Sequence, residues 1–191
     1  QTVRLWDPTT GTHQHTLTGH TSAVTGVCPV SVGGRTLLAS ASNDQTVRLW
    51  DPTTGTHQHT LTGHTYWVRG VCAVSVGGRT LLASASNDQT VRLWDPHTGT
   101  PARGWHGLFG WVRRRANRHT GWVTGVCAVS VGGRTLFASA SYDQTVRLWD
   151  PTTGEPIVTI PVHHQATSCV AVDDTLVVGL RTGIIAITLA V

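Results

Sequence analysis

The 191-residue sequence contains no lysine and no methionine. It has no apolar run near the ~20 residues that a membrane-spanning helix requires, and no secretory signal pattern stands at its start. No segment repeats its apolar residues with the 3.6-residue period of an amphipathic helix. These absences argue against a helical bundle and a helical membrane protein, and they favour a chain built from β-strands and turns.

Positive charge is scarce outside one short segment. All fourteen basic residues are arginines, and five of them lie close together, at Arg103, Arg113, Arg114, Arg115 and Arg118. The other nine arginines stand against ten acidic residues, so most of the chain is close to neutral. The sequence therefore predicts one basic island and not a generally basic, nucleic-acid-binding protein.

The four cysteines are widely spaced along the chain. Cys28, Cys72 and Cys127 occupy the same place in three "GVC" segments, and Cys169 lies in a similar "SCVAV". A disulfide framework or a CxxC metal site requires cysteines close together in sequence, and none are. We expect four separate, buried thiols in a reducing compartment, which predicts a cytoplasmic location.

The chain is dominated by an internal repeat that begins with "QTVRLWDPTTG". Copies start at residues 1, 45, 89 and 144, which gives spacings of 44, 44 and 55 residues. The third copy is longer by eleven residues, which we interpret as an insertion within residues 100–118. We expect residues 1–191 to form a single repeat region, with residues 156–191 as a degenerate terminal unit.

Each unit carries four short segments with the alternation of β-strands. In the first copy they are "HQHTL" (13–17), "VTGVCPV" (24–30), "TLLASAS" (36–42) and "TVRLW" (46–50). Gly33-Gly34 and Asn43-Asp44 are predicted to turn the chain between them. Four antiparallel strands in about 44 residues are typical of a β-propeller blade. Over the whole chain, the count predicts two strands at the start, three sets of four, and three strands at the end.

The motif "GH…LASASNDQTVRLWD" resembles the WD40 repeat over about the first 155 residues. The resemblance implies an all-β fold of four-stranded antiparallel WD40-type propeller blades, about four to five of them, in an incomplete or open propeller. The chain is similar to bacterial multi-repeat WD40 proteins. Because it begins with Gln and lacks Met, we expect a C-terminal fragment of a longer protein.

The resemblance also implies a buried hydrogen-bonded tetrad in each complete unit. In the family, an Asp accepts from a His, the His fixes a Ser hydroxyl, and the Ser accepts the N–H of a Trp. The matching residues are His20, Ser40, Asp44 and Trp50, then His64, Ser84, Asp88 and Trp94, then His119, Ser139, Asp143 and Trp149. A Ser/His/Asp trio that recurs in every unit, with Trp where a substrate would be attacked, is interpreted as structural and not catalytic.

The first two copies differ at only four positions out of 44. These are Ser22/Tyr66, Ala23/Trp67, Thr25/Arg69 and Pro29/Ala73. Three of the four fall just after the Gly-His pair, which in WD40 proteins lies on the upper binding face. The third copy has Trp122 there, and Tyr142 replaces an Asn before the turn Asp. Tyr, Trp and Arg are the residue types that dominate interface energetics, so these positions predict a partner-binding face; the alternative is drift at tolerant positions.

Two weaker candidate sites remain open at this stage. In the insertion, Trp105, Phe109 and Trp111 interleave with Arg103 and Arg113–Arg115, a pattern that could bind nucleic acid or another anionic ligand. The alternatives are a solvated loop or damage to the coding sequence. The His13/His15 and His57/His59 pairs have the spacing to place two imidazoles on one strand face, as a zinc site needs, but each lacks an obvious third ligand.

Taken together, the sequence predicts a non-enzymatic protein–protein interaction scaffold that needs no cofactor or metal. Its partner is expected to be a protein or peptide, with no membrane association, and open blade edges could allow self-association. The alternative is the regulatory or sensor region of a larger bacterial signalling protein, with a kinase, NTPase or protease-like domain upstream. No Gly-rich phosphate loop, unique acid/base pair or metal cluster points to an enzyme.

Overall fold

The computed structural model describes residues 1–102 and 118–189, and all regular structure in these two ranges is β. Within these two ranges, seventeen strands form five antiparallel sheets in which strands adjacent in sequence are adjacent in space. The described residues contain no helix long and apolar enough to cross a membrane.

The sheets follow one another along the chain. An N-terminal hairpin consists of β1 (Thr2–Trp6) and β2 (His13–Thr18). Blade 1 contains β3 (Val24–Val32), β4 (Arg35–Ser42), β5 (Val47–Trp50) and β6 (His57–Leu61). Blade 2 contains β7 (Val68–Val76), β8 (Arg79–Ser86), β9 (Val91–Asp95) and β10 (Thr100–Pro101). Blade 3 contains β11 (Val123–Val131), β12 (Arg134–Ser141), β13 (Thr145–Trp149) and β14 (Pro156–Pro161). The terminal sheet contains β15 (Ala166–Val172), β16 (Thr175–Leu180) and β17 (Gly183–Thr188).

The predicted fold class is confirmed. The sheets have two, four, four, four and three strands, as the repeat count predicts, and the arrangement is open rather than a closed ring. Residues Pro156–Pro161, which the unit boundaries grouped with the last unit, form the outermost strand of blade 3.

The hairpins between the first two strands of each blade depend on paired glycines. Val32 pairs with Arg35, so only Gly33 and Gly34 turn the chain, with φ angles of 56° and 78°. Two successive positive φ values define the type I′ turn, which matches strand twist and is strained for residues with a Cβ. The turn between the second and third strands is longer than predicted: Gln45 also belongs to it, with a φ of 72°.

The hydrophobic core lies between neighbouring blades. The first strands of successive sheets pack side by side, β3 beside β7, β7 beside β11 and β11 beside β15. One face of blade 1, which includes Val47 and Leu49, packs against Leu82 and Trp94 of blade 2. The same contact recurs between blades 2 and 3, where Phe137 and Trp149 supply the second side. Each blade therefore buries its apolar face only when the next blade is present.

Both ends of the arc expose apolar side chains. Leu38 and Leu82 occupy the same register, opposite Trp50 and Trp94, yet Leu82 is fully buried and Leu38 is only half-buried. The difference arises because the N-terminal hairpin supplies only two strands to cover blade 1. At the other end, the terminal sheet exposes Val170, Val172 and Ile184.

Candidate functional site

A buried serine lies at the centre of each complete blade. In blade 1, the Trp50 indole N–H donates to Ser40 Oγ over 2.8 Å, and Ser40 Oγ lies 2.8 Å from His20 Nε2. His20 Nδ1 is 2.7 Å from Asp44 Oδ2, which also accepts the backbone N–H of Thr21. The chain of contacts ties the loop before β3, the second strand and the third strand together.

Blades 2 and 3 repeat this arrangement almost atom for atom. The corresponding His–Asp, His–Ser and Trp–Ser distances are 2.7, 2.7 and 2.8 Å in blade 2, and 2.7 Å for all three in blade 3. The residues involved are His64, Ser84, Asp88 and Trp94, and His119, Ser139, Asp143 and Trp149. The structure thus brings together all twelve residues that the sequence assigns to tetrads.

The hydrogen bonds determine the protonation of the histidines. An indole N–H can only donate, so Ser84 Oγ accepts from Trp94 and uses its own proton to donate to His64 Nε2. Nδ1 then carries the imidazole proton and donates to Asp88. Burial lowers the pKa of His64 and of His119, which favours the neutral ring.

The carboxylates of the tetrads remain ionised. Burial alone would raise the pKa of Asp88, but the hydrogen bonds from His64, Thr90 and the Thr65 N–H outweigh it and hold the pKa well below its usual range. The Asp143 pKa is lowered in the same way by His119, Thr145 and Thr120. Each polar atom of the network is therefore satisfied without a net proton transfer.

The trio of Ser, His and Asp is closed to substrates. Ser40, Ser84 and Ser139 have no exposed surface, and each hydroxyl already bonds an imidazole and an indole. A nucleophile must reach the atom it attacks, which these hydroxyls cannot do. The arrangement is chemically suited to fixing strands in place.

The terminal sheet replaces the His, Ser and Trp of the tetrad by apolar residues, and the turn that carries the Asp in the blades is Arg181-Thr182. Val178 pairs with Cys169 as Ser139 pairs with Val126, so Val178 takes the position of the serine. Val162 precedes Ala166 by four residues, as His119 precedes Val123, and it is buried in the same cluster as Val178. Ile187, opposite Leu176, stands where Trp149 stands opposite Phe137. His163 and His164 are both exposed.

Aromatic side chains lie at the same end of blades 2 and 3 as the tetrad histidines, which we call the upper end. Tyr66, Trp67 and Trp122 are 45%, 41% and 46% exposed. Tyr66 and Trp67 contact each other with ring centroids 5.4 Å apart. Trp122 stacks on the half-buried Tyr142, with centroids 5.6 Å apart and an interplanar angle of 29°. Each of the two blades therefore presents one Tyr/Trp pair.

The two pairs are built differently from equivalent positions. In blade 2 the tyrosine precedes Trp67 in the loop, whereas in blade 3 that position is Gly121 and the tyrosine comes from the turn after β12. A Cβ on Gly121 would lie 2.7 Å from the backbone nitrogen of Asp143, so glycine is needed where the loop meets this turn. Comparison of the repeats did not predict that the glycine at position 121 makes room for the turn that carries Tyr142.

Arg69 occupies a strand position and not a loop. Its equivalents Thr25 and Thr124 lie at β-bulges in β3 and β11, and each hydroxyl donates to a carbonyl of the next sheet, Val68 O at 2.6 Å and Ala166 O at 2.7 Å. Arginine has no hydroxyl, so blade 2 lacks this threonine contact between sheets and has the half-buried Arg69 in its place. Sequence reasoning missed the threonine contacts, because they join residues more than forty positions apart.

The expectation that each histidine pair shares one strand face is wrong. A bulge places His59 opposite Leu49 and His57 opposite Trp50, and neighbouring residues such as Leu49 and Trp50 point to opposite faces. His57 packs edge-on against the Trp50 ring at 5.3 Å. A matching bulge separates His13 from His15. Within residues 1–102 and 118–189, no three His, Cys, Asp or Glu side chains group to hold a metal ion.

Two other sequence-based expectations have different outcomes. Residues 103–117, which contain most of the Arg- and Trp-rich insertion, lie outside the described residues, so anion binding there stays a prediction. The four cysteines are free thiols in the first strands of four different sheets, as expected, but only Cys127 is fully buried and the other three are partly exposed.

Comparisons with known proteins agree with this architecture. A family model described as "WD domain, G-beta repeat" matches residues 11–51, 55–95 and 112–150. No curated protein matches the chain in sequence.

Among solved structures, the WD40 β-propeller domain of Doa1 is similar with a TM-score of 0.73 and 23% identity, over 97% of this chain and 56% of that one. The computationally designed proteins Ika8 and Ika4 are similar with TM-scores of 0.71 and 0.67 and identities of 23% and 22%. The match to Ika8 covers 97% of this chain and 52% of that one, and the match to Ika4 covers 91% and 96%. The chain thus spans about half of the Doa1 domain and of Ika8.

Removing one tetrad hydroxyl should destabilise the chain. Ser84→Ala leaves the Trp94 indole N–H and His64 Nε2 buried without a partner, which costs about 1–3 kcal/mol. Ser75→Ala, at an exposed position of the neighbouring strand, is the matched control and should change stability by less than about 0.5 kcal/mol. Urea denaturation measures both, and equal stability of the two variants would contradict the role given to the tetrad.

Proposed function

Because the chain belongs to the WD40 repeat family, whose propeller domains are generally protein-interaction scaffolds, we propose that it is a non-enzymatic scaffold for a protein or peptide partner. The partner binds at the upper end of blades 2 and 3, on the surface formed by Tyr66, Trp67, Arg69, Trp122 and Tyr142. We call this surface the aromatic face.

The observation that carries the proposal is the pair of exposed Tyr/Trp contacts on adjacent blades. Trp67 and Trp122 leave more than two fifths of their surface in water, although buried tryptophans stabilise a fold far more. Isolated exposed apolar residues are common, but neighbouring aromatics on one end of a molecule mark an interaction surface. Large aromatic side chains supply much contact area for little lost rotamer entropy, as binding sites require.

The pattern of change between repeats supports the same proposal. Blades 1 and 2 share every tetrad residue and both glycines of the first hairpin. Their substitutions add Tyr66, Trp67 and Arg69, and blade 3 reaches a similar Tyr/Trp pair through Gly121 and Tyr142. Blades 2 and 3 thus acquire a Tyr/Trp pair through substitutions at different positions. Random drift at tolerant positions does not account for the same pair arising twice.

The chemistry of the aromatic face suits a peptide with apolar or cationic side chains and some acidic character. Tyr/Trp pairs bind apolar groups and cations on their faces, and the Arg69 guanidinium attracts a carboxylate. Such a scaffold needs no cofactor, and we place it in the cytoplasm. The alternative role, as the regulatory region of a larger bacterial signalling protein, would use the same face for recognition.

Repeat-for-repeat substitution provides a sharp test of the aromatic face. Peptides are selected from a displayed random library on the wild-type chain, and their binding is then measured to a variant with Tyr66→Ser, Trp67→Ala, Arg69→Thr and Trp122→Ala. The first three substitutions install the residues of blade 1, so the strands tolerate them. We expect binding to fall at least about tenfold.

Trp6→Ala is the matched control for this experiment. Trp6 is 54% exposed, but it lies in β1, outside blades 2 and 3. Peptides should bind the Trp6→Ala variant as they bind the wild-type chain. The proposal fails if the quadruple variant retains full affinity, or if Trp6→Ala reduces affinity equally.

Open sheets favour a second interaction, in which two copies of this chain associate. The terminal sheet has three strands among the described residues, so β17 forms its edge, and Val170, Val172 and Ile184 are 53%, 57% and 75% exposed. This chain matches 56% of the Doa1 propeller domain, and a second copy of this chain would supply further surface to cover this end. We propose self-association through the terminal sheet.

Light scattering at increasing concentration tests self-association. The wild-type chain should increase in mass with concentration, whereas a variant with Val170→Ser, Val172→Ser and Ile184→Ser should remain monomeric, because less apolar surface is buried on association. A wild-type chain that stays monomeric over the whole range would contradict the proposal.

A further inference from the structure

Cys28 and Cys72 occupy equivalent positions in the contacts between blades 1 and 2 and between blades 2 and 3. Cys28 of β3 lies opposite Ala39, and Cys72 of β7 lies opposite Ala83, so both have the same register. Cys28 packs in the cluster that contains Val71 of blade 2. Cys72 packs in the cluster that contains Val126 of blade 3. Each of these two clusters therefore contains a thiol of one blade and a valine of the next blade at equivalent positions.

The contact between blade 3 and the terminal sheet follows the same plan with one change. Cys127 has the register of Cys28 and Cys72 and faces the terminal sheet. Cys169 lies opposite Val178, which stands at the serine position, so Cys169 occupies the position of Val126 and not that of Cys127. Its side chain consequently points back towards blade 3, where the other two contacts have valine.

The backbones approach closely at this contact. A Cβ built on Gly125 would lie 3.0 Å from Ser168 Cα and from the backbone nitrogen of Cys169. The Cys169 thiol lies 3.8 Å from the carbonyl oxygen of Ala138, which is the cross-strand partner of Cys127. Cys169 packs against the hydrophobic cluster that contains Cys127. Adjacent strands whose side chains face each other are the first requirement for a disulfide.

The two thiols differ in reactivity. The S–H of Cys169 donates to the carbonyl oxygen of Ala138. The neighbouring Cys169 thiol lowers the pKa of Cys127 despite its burial, whereas the Cys127 thiol and burial together raise the pKa of Cys169. Burial raises the pKa of Cys28 to about 12, and it also raises the pKa of Cys72. Cys127 is thus the thiol best able to form a thiolate.

We propose that Cys127 and Cys169 are a redox modification site, at which a peroxide converts the two thiols into a reversible disulfide that joins blade 3 to the terminal sheet. The half-buried Cys169 leaves the edge of the contact open to a small oxidant. The bond would close a loop that includes β12, β13 and β14. It would fix the terminal sheet, which lacks a tetrad, against blade 3.

The chemistry balances with hydrogen peroxide as the oxidant. The Cys127 thiolate attacks one peroxide oxygen, the O–O bond breaks and a sulfenic acid forms, while the departing hydroxide takes up the proton that Cys127 released and leaves as the first water. The Cys169 sulfur then attacks the sulfenic sulfur and the S–O bond breaks. The departing hydroxide takes up the Cys169 proton, so that a second water leaves. The two thiols lose two electrons in total, and the peroxide is reduced to two molecules of water.

The experiment treats the purified 191-residue chain with hydrogen peroxide and follows free thiols, mass and melting temperature. The free-thiol count should fall from four to two, the mass should fall by two hydrogens, and peptide mapping should link Cys127 to Cys169. Because a disulfide restricts the unfolded chain, the melting temperature should rise and then return after dithiothreitol is added.

Two variants make the result decisive. Cys169→Val restores the valine of the other two contacts, so it should fold normally, keep three thiols and show no peroxide-dependent change in melting temperature. Val71→Cys creates the same facing pair with Cys28 between blades 1 and 2, and it should gain a second disulfide. The proposal is overturned if the wild-type chain keeps all four thiols, oxidises further at Cys127 without a link, forms only links between chains, or melts like the oxidised Cys169→Val variant.

Discussion

The double hydrogen bond to a buried serine hydroxyl is the interaction on which the rest of the structure depends. Ser84 holds the Trp94 indole on one side and the His64 imidazole on the other, and His64 in turn holds Asp88 in the turn after β8. Trp94, held in this orientation, packs against the apolar face of blade 1. The hydrogen bonds within one blade therefore also stabilise the packing between neighbouring blades.

The terminal sheet illustrates how such a network changes. It does not lose one member of the tetrad; Val162, Val178 and Ile187 replace the His, Ser and Trp together. Replacing one member alone would leave buried polar groups without hydrogen-bond partners and would lower stability. Replacing the bonded members together by apolar residues changes stability little. The last contact is consequently held by apolar packing, and it is also where the facing Cys127 and Cys169 thiols occur.

Much of the fold follows from the sequence, because the two-residue alternation of strands recurs in every repeat and the paired-glycine turn occurs three times. The tetrads follow from the WD40 resemblance. What the sequence conceals is register: a bulge sends His57 and His59 to opposite faces, and a shorter hairpin turns Cys169 towards blade 3. These features depend on which residue lies across the sheet, and linear alignment of repeats cannot supply that.

The tryptophans of the three blades fall into two groups, with Trp50, Trp94 and Trp149 fixed in the tetrads and Trp67 and Trp122 exposed at the upper end, where we propose that a partner binds. Hydrogen exchange of the assigned indole N–H groups, followed by NMR, tests this most directly. The account predicts slow exchange for the three tetrad indoles and fast exchange for Trp67 and Trp122. Protection of Trp67 or Trp122 in the free chain, or rapid exchange at the tetrad indoles, would contradict it.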